Sequence, residues 1–305
     1  MDWEWNQWPC YFIIMNRGGK RLNATKFSVA RLLLYFVLVS VFLFVSGNVG
    51  QYLIENHDVD KQLGMLLQGM IFTGLTTIVL YILNRKHPGY LKYIGLKRAR
   101  VSPRLIVGII LPLALLSSGI LTAYLFGGID NVSLNLEPTV LIAILINTVT
   151  AFLYEAFPEE VFIRGMIFEE LNKKFRFALS LFLQPLIFIC VPLLVTVLNF
   201  IFFQYPIELT IDYFMLLIAF GIALQLYRTY TGTLWMSIFF HLVYLEVTRY
   251  ISMGGTYNPG ITLLEFDEAF EGYMALYLSF LFMVLLSIVV LSVLLVTSKK
   301  KNRIQ

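Results

Sequence analysis

Apolar runs of about 17 to 25 residues dominate this sequence and limit the folds open to it. A helix rises about 1.5 Å per residue, so a run of this length crosses the roughly 30 Å of hydrocarbon in a bilayer. Of the 305 residues, 58% are hydrophobic and 14% are charged, and the mean hydropathy is +0.77. A water-soluble globule cannot bury that much apolar surface. The sequence therefore excludes a soluble enzyme, a disordered chain and a disulfide-stapled secreted module.

The apolar runs predict an all-α, polytopic membrane protein with about eight transmembrane helices. One transmembrane domain spans residues 27–298, between an interfacial or cytoplasmic segment at 1–26 and a basic cytoplasmic tail at 299–305. No internal repeat and no linker long enough to separate domains is found. The apolar segments are Leu32–Tyr52, Leu63–Leu83, Leu105–Phe126, Thr139–Phe157, Phe177–Phe203, Tyr213–Tyr227, Leu234–Tyr250 and Tyr273–Thr297.

The basic residues orient this topology. If the N-terminus is cytoplasmic, every Lys and Arg except Lys61 and Arg249 falls on the cytoplasmic side. Cytoplasmic loops concentrate Lys and Arg in this way, so both termini are predicted to be cytoplasmic. The net charge of +4 then reflects contact with the lipid bilayer and does not indicate a nucleic-acid partner.

The chain begins with a segment that is too short to span a bilayer. It carries Trp3, Trp5 and Trp8, whose indole rings suit the depth of the lipid headgroups, and this predicts an interfacial segment. The two cysteines, Cys10 and Cys190, lie far apart in apolar surroundings. We interpret both as buried thiols that form neither a disulfide nor a metal site.

Ionisable residues interrupt the fourth apolar segment in Tyr154–Gly165, which reads YEAFPEEVFIRG. Charged groups in a membrane span are costly unless paired, hydrated or neutralised, so they are functional candidates. Pro158 either ends the span or begins a new helix. In a helix, Glu160 and Arg164 can pair on one face while Glu159 projects about 100° away. Arg164 then neutralises the Glu160 carboxylate, and the Glu159 carboxylate is free for chemistry. In the alternative interpretation, both glutamates are solvated residues at a helix N-terminus.

His241 is the second candidate, about two turns into the seventh apolar segment. His57 and His87 fall in opposite loops and cannot share a site with it. A lone buried histidine is usually a hydrogen-bonded structural residue, but here a carboxylate cluster exists for it to face. We expect His241 and Glu159 to meet in one polar site within the bilayer.

The segment Glu159–Gly165 (EEVFIRG) resembles the EExxxR signature of the CPBP intramembrane proteases, the CAAX-protease and bacteriocin-processing group. A second stretch, Tyr227–Trp235 (YRTYTGTLW) followed by His241, is similar to the sequence before the last catalytic histidine of that family. The resemblance covers residues 139–250. It implies a glutamate-dependent intramembrane endopeptidase, a hydrolase that cleaves a membrane-associated or lipidated peptide.

The resemblance also implies a role for each matching residue. Glu159 would be the general base that activates a water, and Glu160 and Arg164 would support it. His241 would donate to the oxyanion of the tetrahedral intermediate. In the family, a histidine from an FxxxH motif assists the base, and an asparagine four residues after the last histidine assists the oxyanion donor. This division matches the chemistry of amide hydrolysis, which needs a base and donors placed where charge develops.

Two positions depart from the family pattern. Gln204, in FIFFQYP, stands at the expected histidine, and Pro192 stands there in a rival alignment that starts at Phe188. Leu245 takes the place of the asparagine, with Glu246 beside it. Loss of an oxyanion donor costs about 10² to 10³ in rate, and loss of a general acid or base partner about 10² to 10⁴. The departures therefore predict reduced turnover.

Three functions are open at this point. The first is the intramembrane peptidase. The second is a catalytically degenerate relative, a pseudoenzyme that binds a membrane protein or peptide partner without cleaving it. The third is a transporter with Glu155, Glu159 and Glu160 as a relay, which no inverted repeat supports.

No cofactor is predicted. The sequence has no HExxH motif, so a zinc ion held by Glu159, Glu160 and His241 is the weaker interpretation. We expect an integral membrane protein, located in the plasma membrane of a bacterium.

Overall fold

Helices make up most of the protein in a computed structural model that describes residues 26–96, 98–205, 210–252, 261–268, 278 and 280–304. The predicted interfacial segment, Cys10 and the start of the last apolar segment lie outside these residues. The helices are α1 (Val29–Asn56), α2 (Lys61–Lys86), α3 (Tyr90–Tyr93), α4 (Pro103–Leu125), α5 (Pro138–Asn172), α6 (Phe177–Phe203), α7 (Ile211–Thr231), α8 (Leu234–Val247, continued by a π-helix at Thr248–Ser252) and α9 (a π-helix at Leu281–Leu286, then Ser287–Ile304). The strands are β1 (Ile129–Leu134) and β2 (Leu264–Glu268).

Seven of the described helices are long and apolar enough to cross a membrane: α1, α2, α4, α5, α6, α7 and α9. The prediction of an all-α polytopic membrane protein is therefore confirmed. The predicted seventh span corresponds to α8, which has only 14 residues. Much of α8 is buried against other helices, so it does not need the long lipid-facing surface of an ordinary span.

The strands show that α8 nevertheless returns the chain across the bundle. β1 follows α4 and pairs antiparallel with β2, which precedes α9. Backbone hydrogen bonds link the region after α8 to the same end, from Leu263 N to Tyr250 O at 2.8 Å and from Asn135 N to Leu263 O at 2.9 Å. The four helices α5 to α8 therefore connect two strands that lie at the same side of the bundle. An even number of crossings between the strands follows, and this agrees with about eight crossings in all. The cytoplasmic placement of the termini remains a prediction.

Polar side chains fix where the helices begin. Ser28 Oγ accepts a hydrogen bond from Arg31 N, and Asp60 accepts from two backbone N–H groups at the start of α2. Thr233 Oγ1 accepts from Trp235 N at the start of α8. Such caps satisfy N–H groups that have no partner inside the helix. Gly232 ends α7 with φ of +73°, which permits the sharp turn into α8.

The fourth apolar segment continues beyond its predicted end at Phe157, because α5 runs through Pro158 to Asn172. Proline lacks an N–H and normally breaks a helix. Here the helix widens into π-helical turns at Phe152–Ala156 and Val161–Ile167, on either side of the proline. The widened turns accommodate Pro158, and the same helix therefore carries both glutamates within the bundle.

Two apolar cores divide the bundle. One is formed mainly by α1, α2, α5 and α6, and the other mainly by α4, α7, α8 and α9. Of the polar residues predicted from sequence, Glu160, Arg164 and His241 lie where α5 of the first core meets α8 of the second. Cys190 differs from its prediction, since it is exposed on α6. In a transmembrane helix such a surface faces lipid, so the thiol keeps apolar surroundings without being buried in protein.

Candidate active site

Glu160 is the centre of a buried polar cluster, the Glu160 cluster, formed with Arg164, Ser237 and His241. Its Oε1 lies 3.0 Å from Arg164 Nη1 and 3.0 Å from His241 Nδ1. Ser237 Oγ donates a hydrogen bond to Oε2. Glu160 and Arg164 are fully buried, and the His241 side chain is 5% exposed. One carboxylate thus receives three partners, two of them from α8.

The local sequence explains how these partners reach Glu160. Arg164 is four residues farther along α5 and therefore lies on the same face. Ser237 and His241 are also four residues apart, so they form one face of α8. Ser237 was not predicted from the sequence, although its four-residue spacing from His241 was a usable signal. Burial of a serine hydroxyl in an apolar helix favours a hydrogen-bond partner, which here is a carboxylate.

Arg164 is enclosed by apolar groups and close-packed backbone. Its Cζ lies 4.7 Å from the centroid of the Phe188 ring on α6, a cation–π contact. The helices α6 and α7 approach closely here, since a Cβ added to Gly221 would lie 2.8 Å from Pro185 Cβ and 3.4 Å from Arg164 Nη2. The guanidinium is an ion-pair partner of Glu160 by distance, but none of its nitrogens has hydrogen-bond geometry.

The backbone beside Arg164 is held by a second arginine, which the sequence placed on the cytoplasmic side and within the YRTYTGTLW stretch but did not predict as part of the site. Arg228 on α7 donates to Arg164 O at 2.5 Å and to Ile94 O at 2.9 Å. It also pairs with Glu169 at 2.6 Å. Arg228 therefore ties α7 to α5 and to the turn after α3, and it fixes the part of α5 that carries the Glu160 cluster.

Glu159 has a different environment from Glu160. It is partly exposed, and no hydrogen bond or ion pair joins it to any other described residue. Charged neighbours on both sides interact with it electrostatically: Glu160 and Arg164 on one side, Glu155 and Arg249 on the other. The hydrogen bond of His241 goes to Glu160, not to Glu159. The site therefore contains one fully partnered carboxylate and one unpaired carboxylate, side by side.

Gln204 lies away from this cluster. It caps the end of α6 with φ of +58° and is exposed, and its side chain donates to Ile201 O of its own helix at 3.5 Å. It follows Phe188, which contacts Arg164, by sixteen residues, or about 24 Å along a helix. The rival position, Pro192, is one turn from Phe188 on the same face of α6. Leu245 is partly buried on α8, one turn after His241.

A second polar network, the Arg249 network, lies two turns along α8 from His241. Arg249 donates to Glu155 Oε1 at 2.6 Å and to Asn147 Oδ1 at 3.4 Å. Asn147 Nδ2 in turn donates to Glu246 Oε1 at 2.6 Å. The sequence placed Arg249 on the non-cytoplasmic side as an exception to the charge rule. In the structure it is a buried residue that joins α8 to α5.

The described residues contain no group of three or more His, Cys, Asp or Glu side chains arranged to hold a metal ion. Glu159, Glu160 and His241 do not form such a group. That the protein works without a cofactor remains a prediction.

These features define a polytopic helical membrane protein with a carboxylate–histidine cluster buried between two helices of its bundle. Within that class, residues 138–244 match the family model described as type II CAAX prenyl endopeptidase Rce1-like. The resemblance to CAAX proteases inferred from the sequence is thus confirmed for this segment. The segment runs from the start of α5 into α8 and contains Glu159, Glu160, Arg164 and His241. No curated protein and no solved structure matches the chain.

Proposed function

We propose that the protein is an intramembrane endopeptidase that hydrolyses a membrane-associated or lipidated peptide, with Glu159 as the general base. The proposal rests on the different environments of the two glutamates. Glu160 is occupied by Arg164, Ser237 and His241, whereas Glu159 has no partner among the described residues. The family match over residues 138–244 supports a peptide as the substrate.

Hydrolysis of an amide needs a base that takes a proton from water and donors that stabilise the oxyanion. Glu159 supplies the unpaired carboxylate. His241 contacts Glu160 through Nδ1, which fixes the ring and leaves Nε2 as the nitrogen open to a substrate. In this scheme His241 acts as the imidazolium, which donates from Nδ1 to the Glu160 carboxylate and from Nε2 to the oxyanion. Glu160 acts through His241 in this scheme and is a positioning residue.

Cleavage of a fluorogenic prenylated peptide by the purified protein in liposomes tests this assignment. Glu159→Gln keeps the shape of the side chain but removes the base, and we expect cleavage to fall about 10² to 10⁴-fold. Glu137→Gln is the matched control, since Glu137 lies at the exposed start of the same helix. It should cleave at the wild-type rate. Full activity in Glu159→Gln would refute Glu159 as the base, and no cleavage by the wild type would refute the peptidase.

A second candidate function is binding of the lipidated peptide without cleavage. It is favoured by the absence of an imidazole at either alignment of the FxxxH motif, since Pro192 has no donor and Gln204 lies at the exposed end of α6. Fluorescence anisotropy of a labelled prenylated peptide distinguishes the two functions. Saturable binding with no product, unchanged in Glu159→Gln, supports the binding protein and contradicts the peptidase.

A further inference from the structure

Buried polar atoms without partners are concentrated between α6, α7 and the Glu160 cluster. Within the described part of the chain, no hydrogen-bond partner is found for Ser180 Oγ, for either side-chain polar atom of Gln184, or for Gln225 Oε1. Each of these residues is at most 1% exposed. The three guanidinium nitrogens of Arg164 also lack hydrogen-bond geometry, although Nη1 lies 3.0 Å from Glu160 Oε1 as an ion pair. We refer to Ser180, Gln184, Gln225 and Arg164 as the polar seam.

The members of the polar seam follow one another along the bundle. The turn between α5 and α6 carries Lys173, Lys174 and Arg176, and we call this side the basic end. Ser180 lies three residues into α6 and Gln184 seven, which is about 4 and about 10 Å along the axis. Gln225 lies six residues before the end of α7, or about 9 Å from the same side.

Contacts connect Ser180, Gln184 and Gln225 of the polar seam to its fourth member, Arg164. Ser180, Gln184 and Phe188 are spaced four residues apart and form one buried face of α6. The Arg164 guanidinium lies over the Phe188 ring. On the opposite helix, Gly221 is one turn from Gln225 and is the point at which Arg164 and Pro185 approach α7. The polar seam therefore runs from the basic end to the ion pair of Glu160.

Such a set of groups needs partners that the surrounding side chains do not provide. In hydrocarbon every polar group must be satisfied within the protein, by another protein group or by ordered water. Buried water molecules typically make two to four hydrogen bonds to groups of this kind. Ser180 can donate and accept, Gln184 can donate and accept, Gln225 accepts and Arg164 donates, so a water molecule finds complementary partners at each step.

We propose that the polar seam binds a file of water molecules that joins the basic end of the bundle to Arg164 and Glu160. The role of this water rests on the proposed function, because an intramembrane peptidase must bring water to Glu159, the residue next to Glu160. The binding of water itself does not depend on catalysis. The polar seam supplies a route through protein on the side of the bundle that carries the basic turn.

Reaction of engineered thiols with a small water-soluble methanethiosulfonate reagent tests this proposal in liposomes. Ser180→Cys and Gln184→Cys are each made in a Cys10→Ser, Cys190→Ser background. The control is native Cys190 in a Cys10→Ser background, since it lies on the same helix but is exposed on its outer surface. A thiol reacts as the thiolate, which forms only where water is present, so we expect the seam thiols to react at least about tenfold faster than Cys190. Equal or slower reaction of both seam thiols in folded variants overturns the proposal.

Radiolytic hydroxyl labelling of the wild-type protein decides the question if the variants do not fold. Both phenylalanines belong to one apolar core, but Phe188 contacts Arg164 of the polar seam, whereas Phe72 lies on α2 and contacts Tyr154. We expect Phe188 to be oxidised several-fold faster than Phe72, because bound water is the source of the radicals. Equal rates overturn the proposal. Neither readout uses peptide cleavage, so failure here is distinct from failure of the peptidase proposal.

Discussion

The Glu160 cluster and the Arg249 network use the same two helices and similar residue types, but they differ in burial and in the charge at their centre. Glu160 is a fully buried anion surrounded by donors. Arg249 is a cation shared between the acceptors Glu155 and Asn147, and the Arg249 and Glu155 side chains are 10% and 20% exposed. A charge left without its partner in the Glu160 cluster cannot be solvated by water, whereas a charge left in the Arg249 network is partly accessible to water. Equivalent substitutions should therefore have unequal consequences.

The largest effect is expected from Arg164→Met. This substitution leaves Glu160 as a buried carboxylate without its cation, which typically costs about 3 to 5 kcal/mol. Thermal unfolding in detergent micelles measures the loss. The double variant Glu160→Met, Arg164→Met removes both charges and should recover most of the stability. A double variant as unstable as Arg164→Met would show that the apolar packing around the pair, and not its charge, is the source of the effect.

Ser237→Ala should have the next largest effect on the free energy of unfolding. It removes a hydrogen bond to a buried carboxylate, worth about 1.5 to 3 kcal/mol. Ser40→Ala is a matched control, because Ser40 is equally buried but donates to a neutral acceptor, Phe36 O of its own helix, at 2.9 Å. The same unfolding assay should register a much smaller loss for the control. Equal losses would contradict the importance of Ser237 in the Glu160 cluster.

Arg249→Met tests the other side of the comparison. The Arg249 network is partly exposed, so we expect a loss of about 1 to 2 kcal/mol, smaller than that for Arg164→Met. A double-mutant cycle with Glu155→Met isolates the coupling between Arg249 and Glu155. A loss equal to that of Arg164→Met would mean that the two sites are equally desolvated and would remove the distinction between them.

The smallest effect is expected from Arg31→Met. Arg31 pairs with Glu170 at 3.0 Å, but the Arg31 side chain is 33% exposed, and the buried Glu170 keeps Lys173 as a second cation at 2.6 Å when Arg31 is removed. Exposed ion pairs contribute about 0 to 1 kcal/mol, and salt screens them. Unfolding midpoints of this variant and the wild type should converge as ionic strength is raised. A midpoint difference that persists at high salt would place this pair with the buried ones.

Much of the fold could be predicted because its signals are local. The length and hydropathy of a run determine whether it can span the bilayer, and seven of the predicted apolar segments became long helices. The pairing of Glu160 with Arg164 was also foreseeable, since four residues place two side chains on one helical face. Pro158 was read wrongly as a boundary, because π-helical turns on either side accommodate it.

Other parts of the site depended on which helices meet. The sequence suggested that His241 faces Glu159, whereas the packing of α8 against α5 gives its hydrogen bond to Glu160. Nothing local to Arg249 shows that Glu155, nearly a hundred residues earlier, lies within hydrogen-bond reach. The paired strands β1 and β2 were also missed, since they have only six and five residues and each lies in a connection between long apolar runs.

By itself, the sequence determined that this chain is a helical membrane protein and which few ionisable residues lie within its spans. The reason is that the free energy of transferring an apolar run or a charged side chain from water into hydrocarbon depends on the residue types themselves. It does not depend on which helices later pack together. Only the tertiary structure decided how those charges are shared. Pairing energies depend on distance, and the distance between a carboxylate on α5 and an imidazole on α8 is set by how two helices pack. That packing assigns three partners to Glu160, and it gives Glu159 neither a hydrogen bond nor an ion pair with any residue that the structure describes.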